Sequence, residues 1–325
     1  MADPAALSFP GEKVRISLGG DVGSQAVSDR AYCLMQQSNA FNTRRAYASA
    51  LRGFDDWRKD RVVDDSGIAD YLAHLQESGK AVATARIALA AIRHRSRQEG
   101  EPRPDDVLTA KVLEGYGRAE ANRGRGQVAG VTWEQADVMT ALAAQGGSLW
   151  GFRDAALIAV MSDGLLRISE AAALGVADVN QAQDGAGTLL LAQSKTDQQA
   201  EGTILHLRAV TLRRVSAWKE AAGIHSGPLF RRIRKGGRVE ATALTAKSIR
   251  AIIQRWAKAA GVSGRVSGHS LRVGAAQSLV AAGATLPELQ QAGRWLSPSM
   301  PAHYARGQLA GQGAVARLRP DSEKG

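Results

Sequence analysis

From about residue 27 to Gly117, apolar side chains recur at three- and four-residue spacing, as in helices that each bury one face. Thr43 can cap a helix with Tyr47, Leu51, Phe54 and Trp57 on one side and Arg44, Arg45, Arg52 and Arg58 outside it. Ser66 opens a second, with Ile68, Tyr71, Leu72 and Leu75 inward and Gly79 at its end. A third runs from about Thr84 through Ile87, Ala91 and Ile92 and carries Arg86, Arg93, His94, Arg95 and Arg97. Pro104 and Asp105 start a fourth that ends by Gly117. Residues 1–26 hold Pro4, Pro10, Gly19, Gly20 and Gly23 without periodicity and read as a flexible arm. In residues 118–131 the pattern stops, and Arg118, Arg123 and Arg125 alternate with Asn122, Gly124 and Gly126. That stretch reads as a basic linker, either an exposed hinge or a segment that tracks a polyanion.

A second domain, residues 132–325, opens with Thr132 and Gln135 as a capping box ahead of Val138, Met139 and Leu142. Residues 152–162 are almost wholly apolar, which suits a buried central helix. Residues 187–192 and 202–207 read as two strands joined by a polar loop, 194–201, and further helices are expected at 212–222 and 246–260. Arg231, Arg232, Arg234, Lys235 and Arg238 surround a Gly236-Gly237 turn in a strand hairpin. The expected fold is mainly α in two domains: a helical N-terminal domain over 27–117, then a mixed, mostly helical domain with a small β-sheet. No 20–50-residue repeat is present, which argues against a solenoid.

Length agrees, since 325 residues at roughly 150 per domain give about two. Charge narrows the partners. Lysine and arginine number 42 against 31 acidic residues, a formal +11, with a pI near 10.1. Of the basic residues 32 are arginine and 10 lysine, a bias toward the planar fork that grips phosphate with two parallel hydrogen bonds. Polyanions, nucleic acid first, are the expected partners. A single cysteine, Cys33, excludes an intrachain disulfide and a cysteine-rich metal site and suits a reducing cytosol. No basic n-region with an apolar core opens the chain, and the longest strongly apolar run, 155–161, is far below the ~20 residues of a membrane span. A cytoplasmic, nucleoid-associated location without membrane contact is expected.

Common catalytic templates are missing. There is no Gly-x-x-x-x-Gly-Lys-Ser/Thr loop, no His-Glu-x-x-His and no Gly-x-Ser-x-Gly, which sets aside nucleotide hydrolysis, zinc proteolysis and α/β-hydrolase chemistry. What stands out is Ser267-Gly-His-Ser-Leu-Arg272. If Ser267 caps a helix, His269 and Arg272 lie one turn apart near its N-terminus, where free amides and the dipole favour an anion. Alone, that pair is better read as an ordinary surface histidine and arginine.

Further segments extend the pattern: Leu165-Leu-Arg-Ile-Ser-Glu170, Lys195 in the strand-connecting loop, Gly293-Arg-Trp295, Tyr304, and a tail reading Gly313-Ala-Val-Ala-Arg-Leu318. Together they resemble the tyrosine site-specific DNA recombinase (phage integrase) family, and within it the Cre-like recombinases, over about residues 30–320. The resemblance implies that Tyr304 is the nucleophile that forms a 3′-phosphotyrosyl link, storing the bond energy without ATP. It implies that Arg167 and Arg272 clamp the non-bridging oxygens of the scissile phosphate and that Glu170 supports the site. It further implies that His269 is a general base or phosphate donor, Lys195 the general acid, and Trp295 an indole donor and packing wall. Glu170 has a simpler alternative, an i,i+3 ion pair with Arg167. Arg294 departs from the pattern, because a small residue is usual there in Cre-like proteins.

The family resemblance also implies a two-domain clamp on double-stranded DNA, with Arg44, Arg45, Arg86, Arg93, Arg123, Arg125, Arg231, Arg232, Arg234 and Lys235 as candidate DNA contacts. It implies an inverted-repeat recombination site and a homotetramer on two duplexes, coupled through a C-terminal helix that carries Leu309, Ala314, Val315 and Leu318. No metal, nucleotide or other cofactor is implied. The alternatives are a type IB topoisomerase-like strand transferase and a catalytically silent DNA-binding regulator.

Overall fold

The apolar stripes of the first half fold as α1 (Phe41–Arg58), α2 (Asp65–Glu77), α3 (Val82–Glu99) and α4 (Val107–Ala119). A computed structural model of the chain describes residues 41–120, 128–182, 185–192, 202–311, 313 and 318, and the chain divides into two units, residues 1–125 and 126–325. In the first unit Phe54, Ile68, Tyr71, Leu72, Leu75, Leu89, Ile92 and Tyr116 form one core. Ile87 is exposed, because the buried stripe of α3 runs through Ala85, Ala88, Leu89 and Ile92.

Three helix starts differ from expectation, and in two of them a different polar group satisfies the free amides of the first turn. Thr43 lies inside α1, which is already helical at Phe41. Asp64 rather than Ser66 caps α2, its Oδ1 accepting from the Gly67 amide at 2.8 Å. α4 starts at Val107 because the Asp65 carboxylate, reaching over from α2, accepts the amides of Asp106, Leu108 and Thr109 at 2.7–2.9 Å.

The second unit is built on α5 (Trp133–Ala144) and α6 (Leu149–Asp163). Thr132 and Gln135 form the expected capping box on α5. α6 is buried on almost every side, and Leu157, Ile158, Val160 and Met161 pack with Trp218, Phe230, Ile253 and Leu271 in the main core. After α6 come α7 (Ile168–Ala173), a 3₁₀ turn (Val176–Asp178), and an antiparallel sheet of β1 (Val179–Gln181), β2 (Gly187–Leu191) and β3 (Thr203–Leu207) in that order. β2 alternates as a half-buried strand should, Leu189 and Leu191 inward and Thr188 and Leu190 outward. α8 (Ala209–Ala221) leads to the hairpin β4 (Arg231–Ile233) and β5 (Val239–Ala243), then α9 (Ala246–Ala259).

The chain closes through α10 (Ser270–Ala281), α11 (Leu286–Gly293), α12 (Ser299–Tyr304) and α13 (Arg306–Gly311). These helices share a small separate core of Ala276, Val280, Leu289 and Ala305, with Trp295, Tyr304 and Leu309 packed against it. Two of its four buried members are alanines, so this core contributes far less than the main one, where each large side chain is worth about 1.5–3 kcal/mol. The segment that carries Tyr304 therefore sits at the low-stability end of its unit. Among the described residues no helix is long and apolar enough to cross a membrane.

Candidate active site

Four helix ends converge, and a tight turn sets the first of them. After α6, Gly164 and Leu165 reverse the chain, Leu165 in the left-handed region at φ 47°. Arg167 then stands in extended backbone immediately before α7. Its amide donates to Glu170 Oε2 at 2.9 Å and its Nη1 to Oε1 at 2.5 Å, so the i,i+3 ion pair is formed and Glu170 is buried within it.

α10 brings the second arginine. The helix starts at Ser270, two residues later than a Ser267 cap implies, because the Ser267 hydroxyl accepts the His269 amide in the preceding turn. His269 occupies the cap position and Arg272 lies in the first turn, buried. Arg272 donates from Nη1 to the Leu165 carbonyl and from Nη2 to the Gly293 carbonyl. α10 can approach so closely because Gly274 faces the Val131 backbone, where a Cβ would fall 1.8 Å from the Val131 oxygen.

The end of α11 completes the wall. The Trp295 ring centroid lies 4.3 Å from the Arg272 guanidinium carbon, a cation–π contact, and the indole packs over Gly293. Tyr304, the last residue of α12, is half-buried with its ring centroid 5.9 Å from that of Trp295, and its carbonyl accepts from Gln277 Nε2 at 3.3 Å. α12 starts at Ser299, behind Pro298, and holds Pro301 in its first turn.

One participant was visible in the sequence only as a departure. Arg294, at the C-cap of α11, buries its side chain and donates to Glu170 Oε2 at 2.9 Å and to the Gly164 carbonyl at 2.9 Å. Arg167, Arg272 and Arg294 thus face one carboxylate, with two positive charges in excess. Burial, then repulsion from Arg167 and Arg294, pushes Arg272 down to about 9, with Glu170 and Tyr304 acting against the shift. Arg272 remains protonated at neutral pH. Burial pushes the Glu170 carboxyl up, but the Arg167 amide and the Arg294 and Arg167 charges outweigh it and hold the group below its ordinary value. Burial, followed by repulsion from Arg272, Arg167 and Arg250, lowers His269, which favours a neutral imidazole with one donor and one acceptor nitrogen. Such a cluster of forks with surplus charge is suited to a tetrahedral oxyanion.

The structure thus brings Arg167, Glu170, His269, Arg272, Trp295 and Tyr304 together in one unit, whereas Lys195, Arg123 and Arg125 lie outside the described residues. Arg44, Arg45 and Arg86 are exposed on α1 and α3. Arg93 is committed to a two-pronged pair with Asp105 at 2.9 and 2.6 Å. On the hairpin Arg231 donates to the Pro228 and Ser226 carbonyls, Arg232 and Arg234 pair with Glu240, and Lys235 is exposed at the tip. Sequence reading also missed Asp163, which accepts from the Arg208 side chain at 2.9 Å and from the Thr211 hydroxyl at 2.6 Å. Those bonds tie the end of β3 to the turn that carries Arg167.

Comparison with known proteins bears on the fold and the family of the chain. The phage integrase family model matches residues 133–309. The recombinase Cre of Escherichia phage P1 is 27% identical over a 327-residue alignment covering 93% of this chain and 95% of that protein. An integrase/recombinase XerD homolog of Selenomonas ruminantium is 28% identical over 272 residues, 78% of each chain. Among solved structures, the XerH site-specific recombinase bound to palindromic difH substrate in a post-cleavage complex superposes with a TM-score of 0.64 at 16% identity, over 89% of this chain and 84% of that one. A lambda integrase dimer bound to a COC′ core site gives 0.55 at 16% identity, over 85% and 75%.

Proposed function

Because the chain belongs to the phage integrase family, we propose that it is a site-specific tyrosine recombinase in which Tyr304 attacks a DNA phosphate held by Arg167 and Arg272. The observation that carries this reading is the buried Arg272 and the partly exposed Arg167 gathered beside Trp295 and Tyr304, with two positive charges in excess. The Tyr304 oxygen bonds to phosphorus and the bond to the 5′-oxygen breaks, leaving a 3′-phosphotyrosyl link and a free 5′-hydroxyl. The tyrosine proton passes to His269 or solvent, and Lys195 supplies the proton to the departing 5′-oxygen. Charge that grows on the non-bridging oxygens is met by guanidiniums already in place, so little reorganisation is needed as the barrier is crossed.

The reverse reaction with the 5′-hydroxyl of a second duplex exchanges the strands. One round gives a Holliday junction and a second resolves it, and the phosphotyrosyl link conserves the bond energy throughout. Four protomers on two duplexes with inverted-repeat sites would be coupled by the C-terminal segment of each docking on a neighbour. In support, an open cavity of about 510 Å³ lined by Trp133, Leu165, Ile204, Leu205 and Ala292 lies in the catalytic unit, with Ile204 exposed at its edge. The test is a plasmid carrying two copies of the DNA that flanks the gene. Purified protein should delete or invert the interval between them. Relaxation of supercoils without exchange would indicate a topoisomerase, and binding without either would indicate a regulator.

A further inference from the structure

We propose that Arg294 is a positioning residue of the phosphate clamp, holding Glu170 and the Gly164–Leu165 turn in the arrangement that aims both Arg167 and Arg272. The proposal rests on the recombinase reading and adds to it a residue that never touches DNA. Its geometry is the argument. Glu170 is shared, since Oε1 and Oε2 take Arg167 while Oε2 also takes Arg294. The Leu165 carbonyl is shared too, accepting from Arg272 and, at 3.3 Å, from Arg294. Among the described residues Arg294 is therefore the one side chain bonded to an anchor of each clamp arginine.

Its surroundings exclude a solvated spare charge. The Arg294 side chain is 6% exposed and that of Glu170 4%, so both ions have left water and depend on each other and on the turn carbonyls. The backbone makes the same point. Among the described residues only Lys59, Leu165 and Arg294 are non-glycine residues at positive φ, and Arg294 donates to the Leu165 carbonyl. A side chain in that conformation at φ 55° persists when its contacts over-determine it. With its terminal nitrogens directed at Glu170, Gly164 and Leu165, Arg294 acts on the phosphate through Arg167 and Arg272 rather than by contact.

The alternative is that Arg294 contributes charge alone, and Arg294→Lys separates the two, because lysine keeps the charge and loses the planar fork. Glycine suits a positive φ, so Arg294→Gly removes the contacts without backbone strain. Single-turnover cleavage is measured on a suicide duplex bearing the site found by covalent capture, nicked beside the scissile phosphate, with DNA affinity and amide exchange of the free protein alongside. Expected for Arg294→Gly are affinity within about threefold of wild type, cleavage slower by about 10²-fold, as for a misplacement of ~1 Å, and faster exchange over residues 164–170. Arg294→Lys should recover less than a tenth of the lost rate, and in a Glu170→Gln background the further loss from Arg294→Gly should shrink below about threefold. Full rescue by lysine, an undiminished loss without Glu170, or unchanged exchange over 164–170 would overturn the proposal. Wild-type adducts that depend on Tyr304, beside an Arg294→Gly variant of normal rate, would sink the positioning role alone. Absence of such adducts from wild type would sink the recombinase reading and this role with it.

Discussion

Adding one methyl group at Gly293 should damage the site by displacing the Trp295 indole. A Cβ built there falls 1.7 Å from Cζ3, 2.1 Å from Cε3 and 2.3 Å from Cη2 of Trp295. To reach ordinary van der Waals contact at about 3.4 Å the indole must retreat by about 1.7 Å, losing its seat over the Arg272 guanidinium. Two effects oppose each other. Alanine in place of a helical glycine stabilises by ~0.5–1 kcal/mol, whereas overpacking costs typically ~1–3 kcal/mol. The clash is with the outer ring of a large aromatic, so overpacking wins and Gly293→Ala should be destabilised by about 1–2 kcal/mol in urea unfolding. Cleavage should fall by about 10²-fold, since displacements of ~1 Å have that effect. Trp295→Phe removes the clashing ring, so the double variant should recover stability through a favourable coupling of at least ~0.5 kcal/mol. A Gly293→Ala protein of wild-type stability and rate would show that Trp295 does not pack over Gly293 as described.

Further outcomes are expected. Arg272→Ala should slow cleavage by at least the ~10²–10³-fold typical of losing one oxyanion donor, and wild-type cleavage should persist in excess EDTA because guanidiniums carry the charge stabilisation, as adduct formation on denaturing gels would show. Lys195→Ala should cleave ordinary DNA very slowly but recover on a 5′-bridging phosphorothiolate, whose thiolate leaves without a proton, and Arg272→Ala should recover much less. The Glu170 carboxyl is held below its ordinary value, so its ion pairs stabilise the fold fully above the unfolded-state pKa of about 4.3, and that share is lost as pH falls through the lower folded value. Urea midpoints from pH 6 to 3 should therefore drop less steeply in Glu170→Gln than in wild type.

Legibility in the sequence followed the distance over which each structural cause acts. Ile68, Tyr71, Leu72 and Leu75 declare one helix face within eight residues, and the Thr132–Gln135 box is complete within four. The segment from Ser267 to Arg272 is similarly local, so the closeness of His269 and Arg272 could be read from it. Helix starts failed where the cap came from elsewhere, as when Asp65 of α2 satisfies the first turn of α4, or where Ser267 spent its hydroxyl on an earlier turn. β1 has three residues, too few to show alternation. Arg294 was noticed as an oddity, but its partner Glu170 lies 124 residues away and no spacing rule connects them.

The most direct measurement is to incubate the protein with duplex DNA flanking the gene, digest it and identify by mass spectrometry which peptide carries the covalently attached nucleotide. The account predicts a single adduct, through a 3′-phosphate, on the peptide containing Tyr304, absent from Tyr304→Phe although that variant still binds the DNA. An adduct on another residue, or one that survives Tyr304→Phe, would contradict it.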